Sequence, residues 1–323
     1  MKIRDIGGEF RLIGRIKKGI KMYSKDVVAG IGDDSAVIKC SKSQYMLFTT
    51  DTLVENEHFS LEYSSPEQIG MKAIEQNVSD IAAMGGIPCH AIVSLALPVG
   101  IEIGFIDGLY RGINKRSKEY RISIVGGNVS HSKDIAINVA LIGYVKKKYL
   151  VLRSGAKDGD LIFCSGDVGK SAAGLELLRR NLGASSVKKH LEPRCRLDLA
   201  GKLSIIGISS MIDVSDGVAP EVCHICEQSG TGAIIYADKI PIAMQTIIDA
   251  KKAGKSALDF ALYGGEDFEL VFTADKSKIN QLEKHDVRVI GKIIGKKHGV
   301  KLLKDNKESD LESGFDHFRR IRV

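Results

Sequence analysis

The sequence predicts a mixed α/β protein (α+β mixed sheets) of two domains, and three observations carry that prediction. Short β-branched runs alternate with longer amphipathic segments along the 323 residues, the pattern of sheets covered by helices. A polar, Lys-rich break from Lys146 to Tyr149 divides the chain near its middle, and a chain this long more often forms two cores than one. Acidic residues also recur just after apolar, strand-like runs. They are Asp33 and Asp34 in GIGDDSAV, Asp51 in FTTDTLVENEHF, Asp80 in NVSDIAAMGG, Asp213 and Asp216 in IDVSDG, and Glu266 and Asp267 in YGGEDFEL.

In the first domain, residues 1–147, strands are predicted at Ala36 to Cys40, Met46 to Thr50, Ala91 to Leu97, Ile122 to Val125 and Ile135 to Tyr144. Between the second and third, Pro66 follows Ser64-Ser65 as a first-turn residue, and Ile74, Val78, Ile81 and Ala82 recur at helical spacing. This helix should end at Gly85-Gly86, with Asn77 and Asp80 sharing a face away from the apolar seam. The second domain, 148–323, opens with a strand, a Gly-rich turn and a helix from Ser171 to Arg180. Further strands are predicted at Ile205 to Asp213, Gly232 to Tyr236, Leu270 to Thr273 and Val287 to Ile294.

Composition narrows the function. A 44% hydrophobic and 27% charged chain is ordinary for a globular protein. The longest apolar stretch, Ala91 to Val99, falls far short of the roughly 20 residues of a membrane span, and the amino terminus lacks a signal-peptide core. No membrane partner and a cytoplasmic location are therefore expected. Six scattered cysteines suit a reducing compartment, and Cys223-His224-Ile225-Cys226 has no second pair to complete a zinc site. The net charge of +7 sits largely in Lys-rich stretches such as Lys296 to Lys307. With no Trp and little aromatic interleaving, base stacking lacks its usual residues, so nucleic acid is not an expected partner.

Taken singly, each acidic loop reads as a turn or a helix cap, and Asp213 and Asp216 could simply cap a helix beginning near Gly217. Their concurrence reads otherwise. Several carboxylates beside Gly, Ser or Thr at strand ends make hard oxygen ligands that would hold Mg²⁺ against a polyphosphate. The run Gly166-Asp167-Val168-Gly169-Lys170-Ser171 suggests a phosphate-binding loop, but Cys164 stands where that motif needs Gly. Close packing at a helix start is the better reading, ahead of anion binding. His58 sits among Glu55 and Glu57 and suits a substrate contact at least as well as a core position.

GIGDDSAV, TTDTLVENEHF, KAIEQNVSDIAAMGG, VLRSGAK, SGDVGKSAAGLELL, IDVSDG and GGEDFELVFT occur in an order that resembles the thiamine-monophosphate kinase family, within the aminoimidazole-ribonucleotide synthetase-like superfamily. The resemblance runs from Gly8-Glu9-Phe10 to Gly314-Phe315-Asp316-His317-Phe318. It implies the two-domain fold of that superfamily, a homodimer whose amino-terminal sheets pair, and ATP-dependent, Mg²⁺-assisted phosphorylation of thiamine monophosphate to thiamine diphosphate. It implies magnesium ligands at Asp34, Thr49, Thr50, Asp51, Asp80, Asp213 and Asp216, and at Asn128, where the family has Asp after the glycine pair. Tyr110, Gly127, Arg153 and Ser215 would contact ATP, and His58, Glu266 and Phe315 the thiamine monophosphate. No covalent nucleophile or general base is implied. Two alternatives stay open: a synthetase of the same superfamily with another substrate, and a non-catalytic nucleotide and metal binder.

Overall fold

The computed structural model describes residues 9–311. The chain runs through α1 (Glu9–Gly19), β1 (Val27–Ala29), β2 (Ala36–Lys39), β3 (Gln44–Val54), α2 (Pro66–Ala83), β4 (Ile87–Leu97), α3 (Ile103–Tyr120), β5 (Ser123–His131) and β6 (Ala136–Lys146). Beyond the Lys-rich break follow β7 (Leu161–Ser165), α4 (Lys170–Arg179), α5 (Ser186–Leu191), α6 (Leu197–Ile206), β8 (Ser210–Asp213), α7 (Val218–Ser229) and β9 (Thr231–Tyr236). Then come α8 (Met244–Lys252), α9 (Ala257–Tyr263), β10 (Leu270–Ala274), α10 (Ile279–Leu282), β11 (Val287–Gly295), β12 (Val300–Lys304) and β13 (Lys307–Asp310).

Among the described residues these strands form two mixed sheets, of order β1-β2-β3-β6-β4-β5 and β13-β12-β9-β11-β7-β10-β8. In the first sheet β4 and β5 pair in parallel around α3, and β6 pairs antiparallel with both β3 and β4. Helices α2 and α3 therefore cross over one face only. The strands alternate accordingly: Leu47, Leu53, Val93, Val139 and Leu141 are buried on the helix side, while Phe48, Thr50 and Ile92 face outward.

Helix α2 starts where the sequence says it should. Ser65 accepts from Gln68 N–H, the Gln68 side chain returns the bond, and Pro66 fills the first turn. What the spacing did not foretell is that α2 is buried almost all round. Ile74, Val78 and Ile81 pack into the first core, while Ala82 and Ala83 join Leu203, Met211 and Phe272 of the second. Asn77 does not stand on a solvent-side face. It is fully buried and donates to the Ala73 carbonyl at 3.0 Å.

Two glycines let α2 and α3 come close: a Cβ on Gly70 would lie 2.1 Å from the Leu109 carbonyl oxygen, and one on Gly112 1.9 Å from that of Glu67. The junction also holds a buried ion pair. Arg116 Nε of α3 lies 2.7 Å from Glu75 Oε2 of α2, and Glu75 Oε1 accepts from the Tyr120 hydroxyl at 2.5 Å and from Cys195 N–H at 2.7 Å. The stretch before α6 is thereby tied to the first domain.

One expected strand is shorter than its apolar run. Ile205 and Ile206 end α6, Gly207 turns the chain at φ 78°, and only Ser210–Asp213 extends. Ile206 packs on the core beside Leu203 while Ile205 is exposed, the alternation of a helix, which a run read by β-branching alone cannot reveal.

Candidate functional site

Three of the anticipated carboxylates meet at the junction of the two sheets. Asp34 follows β1, Asp80 lies near the end of α2, and Asp213 closes β8. One oxygen of each lies within 4.8 Å of the others, and Asp34 and Asp213 are buried. Thr49 Oγ1 donates to Asp80 at 2.6 Å, and Ser79 Oγ to Asp213 at 2.5 Å. Arg153 donates from Nη2 to Asp34 Oδ1 at 2.6 Å and from Nε at 3.1 Å, while its backbone N–H meets the Asp33 carboxylate. Asp34 Oδ2 is buried and has no hydrogen-bond partner among the described residues.

Electrostatically the cluster is overloaded. Burial, then the Asp34 charge, pushes Asp213 up to about 7. Burial and the same neighbour push Asp51 up to about 6. Asp80 rises well above its ordinary value through burial and then the charges of Asp51, Asp213 and Asp34, and burial with Asp34 carries Asp33 to about 7. One guanidinium against this many carboxylates leaves a site that a hard divalent cation fits. The donors are all oxygens, one is an orphan, and their spacing suits shared coordination.

The loop after β8 adds Ser215 and Asp216. Glu221, buried in α7, draws this loop in, its Oε1 accepting from Asp216 N–H at 2.9 Å, Ser215 N–H at 3.2 Å and Ser215 Oγ at 3.3 Å. Helix α7 has Gly217 at its N-cap position, directly after Asp216.

A second constellation lies against helix α2, which also carries Asp80. His58 turns back on its own loop, Nδ1 accepting from Val54 N–H at 3.1 Å, which leaves the ring proton on Nε2. Glu266 sits in a turn at φ 66°, its N–H on the Ser215 carbonyl. Lys72 of α2, its side chain only 4% exposed, lies 2.5 Å from Glu266 Oε1 and donates to the His58 carbonyl at 2.7 Å. His190 Nδ1 stands 3.2 Å from Glu266 Oε2 and 3.1 Å from Ser171 Oγ. Burial and then Lys72 bring His190 down to about 4, so at neutral pH it faces Glu266 as an uncharged imidazole. Burial would raise Glu266, but the Lys72 ammonium, the largest of the opposing influences, holds it below its ordinary range.

Other anticipated positions fall elsewhere. Thr50 lies on the outer face of β3, its hydroxyl donating to the Val139 carbonyl at 3.1 Å, because strand alternation turns it away from Thr49 and Asp51. Asn128 is exposed on edge strand β5. The register Thr52↔Asn138↔Ser94↔Asn128 sets it in an outer-face row, three strand spacings, roughly 14 Å, from β3. Neither side chain has a described contact with the carboxylate trio, and their part in metal binding stays a proposal. Gly127 is next to Asn128, where a Cβ would lie 1.8 Å from the Val93 carbonyl oxygen. Tyr110 packs against the first core, and no described contact links it to the carboxylates. Phe315 lies outside the described residues.

At the Gly166–Ser171 turn the helix start does meet an anion, and it is internal: Asp267 accepts from Gly169 N–H at 2.5 Å and from Ser171 N–H at 2.9 Å. Lys72, His190 and Glu221 were not singled out from the sequence. A lone Lys in the otherwise apolar turns of IGMKAIEQNVSDIAAM was the available signal for the first, whereas His190 and Glu221 carried none.

The paired sheets and the strand-end carboxylates define an AIR synthase related protein: the model of that family's N-terminal domain matches residues 32–145 and that of its C-terminal domain residues 157–304. Within it the similarity is narrower. The chain is 37% identical to a thiamine-monophosphate kinase of Aquifex aeolicus over 98% of this chain and 100% of that protein. It is 36% identical to one of Bacillus subtilis, over 96% and 99%. A solved structure described as "AaThiL complexed with AMPPCP and TMP" superposes with a TM-score of 0.87 at 36% identity, covering 98% of this chain and 99% of that one. The chain belongs to the thiamine-monophosphate kinase family.

Proposed function

We propose that this chain transfers the γ-phosphoryl group of ATP to thiamine monophosphate with the help of Mg²⁺, giving thiamine diphosphate, the last step in making that cofactor. The observation that carries the reading is the junction itself, where the overloaded trio Asp34, Asp80 and Asp213 and the Lys72–Glu266–His58 constellation share helix α2. Family membership supports it, as does a relative seen with both an ATP analogue and TMP.

The nucleophile would be a phosphate oxygen of the substrate, and a phosphate monoester is already largely ionised near pH 7. No general base is needed, which agrees with a site whose carboxylates are committed to one another, to Arg153 and to hydroxyls. The chemical problem is repulsion between two anions, worth several kcal/mol at an effective dielectric of about 20. Bound Mg²⁺ supplies charge neutralisation and alignment of the transferring group. Asp34, Asp51, Asp80 and Asp213 would hold it, together with Thr49, Thr50, Asn128 and Asp216 on the resemblance. Arg153 anchors Asp34 and keeps its guanidinium partly exposed toward the phosphates, and Ser215 is fixed by Glu221. His58 and Glu266 would meet the thiamine half, while Tyr110 and Gly127 are retained as ATP contacts on resemblance alone.

The dimer is also a proposal. Phe48 and Ile92 stand exposed on the outer face of the first sheet, and Val125 and Val129 on its edge strand β5. A second copy of this face would cover them. We divide the chain at 147/148, inside the short turn between β6 and β7. Six free cysteines support a reducing, cytoplasmic setting, and no helix among the described residues is long and apolar enough to cross a membrane.

The reading as a non-catalytic binder rested on Asn128. Asn128 still offers a carbonyl oxygen to a hard cation, and the trio Asp34, Asp80 and Asp213 is intact, which supports the kinase reading. The test is formation of ADP and thiamine diphosphate from ATP and thiamine monophosphate with and without Mg²⁺, beside free thiamine. Mg²⁺-dependent, stoichiometric products from the monophosphate alone are expected. ATP binding without turnover would overturn the kinase reading.

A further inference from the structure

Lys72 is a buried cation whose two partners come from opposite sides of the domain junction. On one side is the carbonyl of His58, in the turn after β3. On the other is the carboxylate of Glu266, in the turn before β10. A buried ammonium is costly unless its donors are used, and here they are spent on the two segments that the proposed function assigns to the organic half of the substrate. The Glu266 turn is itself held in a left-handed conformation, φ 66°, that a non-glycine residue adopts only when its surroundings enforce it.

We propose that Lys72 is a positioning residue for the thiamine half of the substrate, pinning the His58 turn of the first domain to the Glu266 turn of the second so that the two present one recognition surface. The inference rests on the reading that His58 and Glu266 meet thiamine monophosphate. Lys72 acts through them, since its side chain is 4% exposed.

The same contact fixes what Glu266 can do. Its carboxylate is surrounded by Lys72 from α2, His58 from the turn after β3 and His190 from α5. Tyr63 lies before α2, and Arg179 at the end of α4 acts on His190 and Tyr63. Lys72 is the largest of the influences that keep it ionised against burial. With the ammonium removed, Glu266 would take up a proton as pH falls and turn from acceptor to donor.

The experiment measures KM for thiamine monophosphate and for ATP between pH 6 and 8 in wild type, Lys72→Met, Glu266→Gln, His58→Ala and Lys72→Met/Glu266→Gln. For Lys72→Met we expect KM for thiamine monophosphate to rise roughly tenfold or more with KM for ATP within about twofold. The defect should deepen toward pH 6, and this slope should vanish in the double variant. Should Lys72→Met fail to fold, the double variant, which leaves no unpaired buried charge, carries the test. Its KM must exceed that of Glu266→Gln alone, because the His58 turn has also lost its anchor. An unchanged KM in Lys72→Met, or a double variant equal to Glu266→Gln, overturns the role of Lys72. If instead His58→Ala and Glu266→Gln both leave KM for thiamine monophosphate untouched, the underlying site reading falls, and the proposal with it.

Discussion

At the scale of single residues the decisive fact is that the carboxylate trio is arranged against the stability of the metal-free chain. Folded Asp80 and Asp213 have pKa values raised above their ordinary range by burial and mutual repulsion. An acid raised in this way favours folding below its unfolded pKa, and that contribution disappears as pH climbs through the folded value, about 7 for Asp213. Without Mg²⁺ the protein should therefore melt lower at pH 8 than at pH 5.5, and Mg²⁺ should raise Tm more at pH 8. Melting curves in EDTA and in Mg²⁺ at both pH values check this, and equal increments would contradict it. Asp80→Asn removes one of the repelling charges, so it should stabilise the metal-free chain by about 1 kcal/mol while lowering kcat by about a hundredfold or more. Denaturant titration paired with steady-state rates tests both halves. His58→Ala, by contrast, is expected to act mainly through KM for thiamine monophosphate, with kcat within a few-fold of wild type.

At the scale of elements, helix α2 organises the site. Its close contact with α3 depends on Gly70 and Gly112. Ala in place of Gly112 gains about 1 kcal/mol in helix propensity, but its Cβ would meet the Glu67 carbonyl oxygen 1.9 Å away. Overpacking should win, leaving Gly112→Ala destabilised by about 2 kcal/mol in urea unfolding; a neutral result would mean that the two helices can slide apart at little cost. Much of this element was legible in the sequence. Ser65, Pro66 and Gln68 announce its start, and the spacing of Ile74, Val78 and Ile81 its core face. Its second buried face was not legible, because Ala82 and Ala83 meet Met211 and Phe272 from a different sheet, and such contacts leave no local period. For the same reason Asp34, Asp80 and Asp213 could be picked as strand-end or helix-face acids, yet only the fold decides that they meet. Thr49 and Thr50 are adjacent in one motif, yet strand alternation sends only Thr49 to Asp80, a separation that the motif alone does not show.

At the scale of the whole molecule, the first sheet is helix-covered on one side and bare on the other, with Phe48 and Ile92 exposed. A second copy of the chain would close that face and bring two rows of Asn128, Ser94 and Asn138 toward each other. Wild type should run as a dimer in light scattering and Phe48→Glu/Ile92→Glu as a monomer; a monomeric wild type would remove the proposed interface. The junction between the sheets is held differently, by packing around Ala82 and Ala83 and by the bonds that Glu75 and Arg116 make to Cys195 N–H and the Pro193 carbonyl. The placement of α2 between both cores has a further consequence for selectivity. Lys72 and Asp80 lie on one rigid helix, and the rise from position 72 to position 80 is about 12 Å at 1.5 Å per residue. On the proposed reading the helix would act as a ruler laid along the substrate, with one mark at the ring-binding end and another at the phosphoryl-transfer end. A molecule with a longer or shorter tether between ring and phosphate would satisfy one mark and miss the other, so the spacing of the two side chains along the backbone would measure chain length.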